Sequence, residues 1–292
     1  MSLYLFAPLI YLLIGFGLGR TRFEIKGRAS ALLTKWVIPL VLIYNIATHQ
    51  PGVFVIMLGM VVMVAIMLLL SRAFTPDPVQ NLCFCYLNIG WLGLPVASTL
   101  FGDGAAMVII AAYVGSSLWG NSVGVGLMAQ GQNLKSRLLQ TLKAPPVWAL
   151  IVGLACIPFA TQIEHYARPV YEVLKFLMVF LGMAILGIWL SETPLKIADF
   201  KLALQPFFAR LVTVSVLVSI FIAICQYYDI ALVIENKPTL YMIALLPPAA
   251  NIVVLETHYM KTGRSASMIA SGTFLSIIAI ALYVGVVLWL RL

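Results

Sequence analysis

Apolar residues fill this chain in ten runs, at 3 to 19, 31 to 48, 52 to 71, 80 to 101, 105 to 129, 146 to 162, 168 to 190, 206 to 226, 239 to 259 and 266 to 290. Each is close to the roughly 20 residues that an α-helix needs to cross a bilayer. The polar connections are too short to hold a separate soluble domain. Two runs are interrupted internally: the fourth carries NIGWLGLPVAS at 88 to 98, and the ninth carries LLPPAANIVV at 245 to 254. Each interruption combines an asparagine with helix-breaking proline, which frees backbone groups that lipid cannot satisfy. Such stretches are expected to be buried or to line a cavity. Breaks at matching places in two halves of a chain are the pattern that secondary transporters build around a midplane substrate site.

Composition agrees, since a chain that is 62% apolar and 10% charged has too little polar surface to coat a soluble globule. The first run lacks a basic start and is followed at once by Arg20 and Arg22, so it is expected to be a retained helix rather than a cleaved signal. A net charge of +8 would suit nucleic acid or an acidic surface, but the placement of the basic residues has a simpler cause. With the N-terminus outside, thirteen fall on the cytoplasmic side, among them Arg20, Arg72, Lys135, Lys201, Arg210 and Arg264. Only Arg168, Lys237 and Arg291 fall outside. This asymmetry predicts both termini outside, and hence an even number of spans.

Five spans per half, with a basic connector between them, make the second half start on the opposite face from the first. The expected organisation is a first inverted repeat over 1–130, a cytoplasmic connector over 131–145 and a second inverted repeat over 146–292. TKWVIPLVLIYNIA of the second span superposes on LKFLMVFLGMAILGI of the seventh, with Lys35 against Lys175. The fifth and tenth spans are rich in Gly and Ser, which suits close helix packing.

The run NIGWLGLPVASTLFGDGAA, with PLVLIYNIA before it and LLPPAANIVVLETHYMKTGRSASMIASGTFLS after it, resembles the auxin efflux carrier family of membrane transporters. The similarity extends over essentially the whole chain. The resemblance implies an all-α integral membrane protein of ten transmembrane helices, with discontinuous helices 4 and 9 crossing at their breaks. That is the NhaA-like fold of sodium/proton antiporters and bile acid transporters. It further implies a scaffold of helices 1, 2, 6 and 7 and a moving unit of helices 3–5 and 8–10. The short connector matches prokaryotic members, which implies the bacterial inner membrane. The implied substrate is an organic anion, either an auxin-like indole acid or a dicarboxylate, and the implied assembly is a homodimer through the scaffold.

Crossing half-helices turn their positive ends and free N–H groups toward one point, which favours a carboxylate. Asn88 and Asn251 can add amide donors there without a fixed charge, or they can cap their own broken helices. Gly90, Gly93, Pro95, Pro247 and Pro248 shape the backbone of the crossing. Lys35 and Lys175 lie within scaffold spans, where they either snorkel and pair locally or draw anions toward the cleft. Asn45 either faces the same cleft or makes an interhelical hydrogen bond. The crossing segments carry no carboxylate of the kind that proton-coupled antiporters use.

The expected activity is therefore alternating-access carriage of an organic anion, in the direction of efflux, with a cation/proton antiporter as the alternative. No enzyme chemistry, cofactor, metal or nucleic acid is expected. The four cysteines read as packing residues, the three histidines are too scattered for a metal site, and GFGLG at 15 to 19 reads as packing. Trp91, inside a break, is the tryptophan best placed to line a cavity.

Overall fold

The computed structural model describes residues 7–21, 26–48, 52–128, 135, 145–193 and 197–291. Among these the protein is 89% helical and contains no strand, so almost every backbone polar group is satisfied within its own segment, as a bilayer requires. Among the described residues five helices are long and apolar enough to cross a membrane: Gly27–Ala47, Val53–Phe74, Val147–Glu192, Ile197–Tyr227 and Ser265–Val287. The outward faces are those of a protein solvated by lipid. On Ile197–Tyr227, Val212, Val216, Ile220 and Ile224 form an exposed stripe at four-residue spacing, while Val214, Val218 and Ile222 on the other side are buried. Water would tolerate no apolar stripe of that length.

In chain order the helices are α1 (Ala7–Leu18), α2 (Lys26–Leu32), α3 (Ile38–Ala47), α4 (Val53–Phe74), α5 (Pro78–Cys85), α6 (Leu94–Phe101), α7 (Asp103–Trp119), α8 (Val125–Met128), α9 (Pro145–Cys156) and α10 (Ala160–Glu192). They continue with α11 (Ile197–Tyr227), α12 (Ala231–Glu235), α13 (Lys237–Met242), α14 (Asn251–Tyr259) and α15 (Ser265–Arg291). Wider π-helical turns at Leu33–Val37, Ile89–Gly93 and Gly120–Gly124 join α2 to α3, lead into α6, and join α7 to α8. The 131–145 connector lies outside the described residues except for Lys135 and Pro145, which begins α9.

The runs expected at 146–162 and 168–190 are joined in one helical stretch, Val147–Glu192. A 3-10 turn at Ile157–Phe159, containing Pro158, interrupts its regularity. Both sides of this turn reach the same part of α3. A Cβ added to Gly153 would lie 2.8 Å from Ile46 Cβ, and the Tyr171 ring stacks on Tyr44 with centroids 4.0 Å apart. A straight helix at 1.5 Å per residue would set residues 153 and 171 about 27 Å apart, so the stretch bends there. Elsewhere α1 lies along the C-terminal half of α10, with Gly15 against Ala184 and Gly187 against Leu12, where the absence of side chains lets the backbones touch.

Candidate functional site

The two interrupted runs meet. Asp77 starts α5 by accepting a hydrogen bond from Val79 N at 3.1 Å, and Pro78 occupies the first turn, where it has no donor to lose. The helix stops at Cys85, because Tyr86 is extended. On the other segment Leu246 is held extended by the proline that follows it, and Pro247 and Pro248 can supply no N–H to continue a helix. The freed backbone groups then pair across the breaks. Asn88 N donates to Pro247 O at 2.8 Å, Ala249 N donates to Tyr86 O at 2.9 Å, and Leu87 faces Pro248 in a single antiparallel bridge.

Pairing of this kind changes the expected chemistry. The N–H groups of Asn88 and Ala249 are engaged with the opposite break rather than left open, as burial of backbone demands. Asn88 is buried, and its Oδ1 accepts from Trp91 N at 3.2 Å, capping the turn Ile89–Gly93. Its Nδ2 has no partner among the described residues. Asn251 is half-buried and donates Nδ2 to the Tyr86 hydroxyl at 3.1 Å. The Tyr86 and Tyr113 rings occupy the space left free at Gly120 and Gly90, where a Cβ on Gly90 would lie 2.6 Å from the Tyr113 ring. At Gly93 an added Cβ would lie 2.9 Å from Leu246, so this glycine lets the two segments close on each other. Pro95 sits in the first turn of α6, beside Gly182 of α10.

The remaining expected residues are spread out. Asn45 is buried and fully engaged: Nδ2 donates to Val41 O at 2.7 Å, and Oδ1 accepts from the Tyr171 hydroxyl at 3.3 Å, tying α3 to α10. Lys35 lies in the turn Leu33–Val37 and is exposed, and Lys175 is half-buried on α10. Among the described residues no three His, Cys, Asp or Glu side chains come together as a metal site, and all four cysteines are free thiols.

Beside the crossing is a cavity of about 1100 Å³. It extends from the end of α4 and the start of α11, at Phe74, Thr75 and Asp199, to Pro248 in the break and Gly272 of α15. Of the expected site residues only Pro248 lines it; Trp91 and the asparagines do not. One lining residue went unrecognised in the sequence. Arg210, counted above with the cytoplasmic loops, is inside α11 and only 2% exposed. Removing it from the loops leaves the direction of the charge asymmetry unchanged. The signal was its position in PFFARLV, an apolar context within the run that begins at 206.

Arg210 Nη1 donates to Cys83 O at 3.4 Å, and its guanidinium carbon lies 5.6 Å from the centre of the Phe207 ring. Cys83 is two residues short of the end of α5, so its carbonyl belongs to the last turn and lacks an in-helix donor. Nε and Nη2 have no partner among the described residues. Glu256, which does not line the cavity, is fully buried and accepts from Thr262 Oγ1, Arg264 N and Ser265 N. Arg264 in turn makes a two-pronged bond to Asp77, 3.1 Å on each arm. Comparison with models of known protein families and with curated proteins finds no match to this chain.

Proposed function

We propose that this protein is a secondary transporter that carries an organic anion across the membrane by alternating access, and that it resembles auxin efflux carriers in build and mechanism. The observation that carries the reading is the Leu87–Pro248 bridge: two broken helical segments, one from each half of the chain, are held together by backbone hydrogen bonds beside a cavity that reaches them. Irregular backbone at membrane depth is costly unless it serves a cavity, and paired breaks are how transporters build a site that can face either side. Two packing relations favour an inverted-repeat reading. The first helix of the first half lies on α10 of the second, and α9, the first of the second half, lies on α3 of the first.

In this reading ten spans form two inverted five-helix repeats with both termini outside, in a bacterial inner membrane. The spans before and after the connector form a scaffold that can dimerise. The cavity then reaches the cytoplasmic side at Phe74, Thr75 and Asp199, and Val212 of the lipid-facing stripe also lines it. With a negative interior, efflux of a monovalent anion gains about 2.3 kcal/mol per 100 mV, so export needs no proton gradient.

The test is flux in proteoliposomes under a potassium diffusion potential, with radiolabelled benzoate, indole-3-acetate and succinate as probes. Carboxylate flux that follows the imposed voltage is expected. Sodium or proton exchange with no carboxylate flux would replace this reading with the antiporter.

A further inference from the structure

We infer that Arg210 is the anion seat: the edge formed by its Nε and Nη2 takes one carboxylate, and the apolar body of the same molecule lies in the adjoining cavity. The inference rests on the anion-carrier reading above and gives it a residue, a location and a ligand class.

The cost of Arg210 is the first argument. A guanidinium at the centre of a membrane helix costs about 2.5–3.5 kcal/mol even on insertion scales. Arg210 is one turn inside the run that begins at 206 but only 2% exposed, and a cation so buried is retained where it has a partner or a task. The partner here is one long bond, Nη1 to Cys83 O at 3.4 Å, which leaves two of the three guanidinium nitrogens without an acceptor among the described residues. Capping the end of α5 would account for Nη1 alone. The nearby carboxylates are committed elsewhere, since Asp77 is held by Arg264 and Glu256 by the 262–265 turn. What is missing at Nε and Nη2 is an acceptor from outside the protein.

Geometry and lining define the ligand. Nε and one terminal nitrogen of a guanidinium present two parallel N–H groups that match the two oxygens of a carboxylate. Arg210 forms part of the wall of a cavity of about 1100 Å³, large enough for a whole organic acid. The wall around it mixes apolar side chains, among them Leu70, Phe84 and Met268, with the polar Gln80, Gln205, Thr213 and Ser267. Among the described lining residues Arg210 is the sole cation and Asp199 the sole carboxylate. A ring or alkyl body on the ligand would be buried favourably against the apolar part of this wall. The site thus takes a carboxylate carried on an apolar body. Cys83 O and Pro248 lie in or beside the same cavity, so the anion would sit next to both broken segments.

The test is equilibrium binding of radiolabelled benzoate to the full chain in lipid nanodiscs, with benzamide and succinate as competitors, on wild type, R210M and R210K. R210M removes a buried charge that has few partners and is expected to insert with an unchanged or higher melting temperature. R210K keeps the charge but loses the two-pronged edge, so it answers the question if R210M does not fold. The expected results are benzoate binding by the wild type, weak competition by benzamide, loss of binding in R210M, and at least tenfold weaker binding in R210K. Wild-type affinity in folded R210M, or equal competition by benzamide, would overturn the Arg210 seat and leave the carrier reading standing. A wild type that binds neither benzoate nor succinate would overturn both.

Discussion

Leu87 and Pro248 face each other across a single antiparallel bridge, flanked by hydrogen bonds of 2.8 Å and 2.9 Å between the Asn88 and Ala249 N–H groups and the carbonyls of Pro247 and Tyr86. Each break thereby supplies the partners that the other has lost. A crossing built this way can persist at membrane depth without water and can move as a unit, because its strongest polar contacts are internal to it.

Asn88 caps the first break. Its Oδ1 accepts from Trp91 N, so Asn88→Ala loses a cap and should lower unfolding stability by about 0.5–2 kcal/mol. Asn88→Asp keeps the accepting oxygen but puts a carboxylate at a position only 3% exposed, so it should be destabilised more than Asn88→Ala. Melting curves on the two variants check this order.

Gly90 should be intolerant of a side chain. A Cβ there would lie 2.6 Å from the ring of the half-buried Tyr113, so the ring or the turn Ile89–Gly93 would have to shift. Gly90→Ala is expected to cost about 1–3 kcal/mol through overpacking. Trimming Tyr113→Leu in the same protein should recover part of that loss, so a double-mutant cycle by thermal unfolding should give a favourable coupling.

Glu256 holds the 262–265 turn through three hydrogen bonds to its carboxylate. Glu256→Gln replaces one accepting oxygen by an NH₂ group that faces donors, and should destabilise by about 1–3 kcal/mol. Transport per folded molecule should be largely retained if no buried carboxylate carries protons. Flux normalised to folded protein, measured with and without a proton gradient, distinguishes a structural group from a coupling group.

Orientation is open to direct labelling. Single cysteines at Gly27 and Lys261 should be protected from impermeant thiol reagents in intact cells, and ones at Asp229 and Asn236 should react. The opposite pattern would reverse the termini and the side that the cavity reaches.

Membrane character and the break at Pro247 and Pro248 were legible in the sequence because both arise locally, whereas the fourth run breaks at Tyr86–Asn88, at the start of the expected 88–98 stretch, and Pro95 sits in the first turn of α6. Hydropathy over about 20 residues decides whether a segment partitions into lipid, and Pro247 and Pro248 forbid a continuous helix wherever they occur. The capping by Asn88 was equally local, since its partner is three residues away. The pairing of the two breaks, the Tyr171 bond to Asn45 and the joined stretch Val147–Glu192 were settled only in three dimensions. Arg210 makes the division plainest. By sequence it counted as a loop cation among others, while in the fold it is buried and reaches Cys83, 127 residues away. Charge and hydropathy are properties of a residue and its neighbours. Which polar group answers a buried guanidinium depends on the side chains that distant helices bring to it, and no local pattern encodes that.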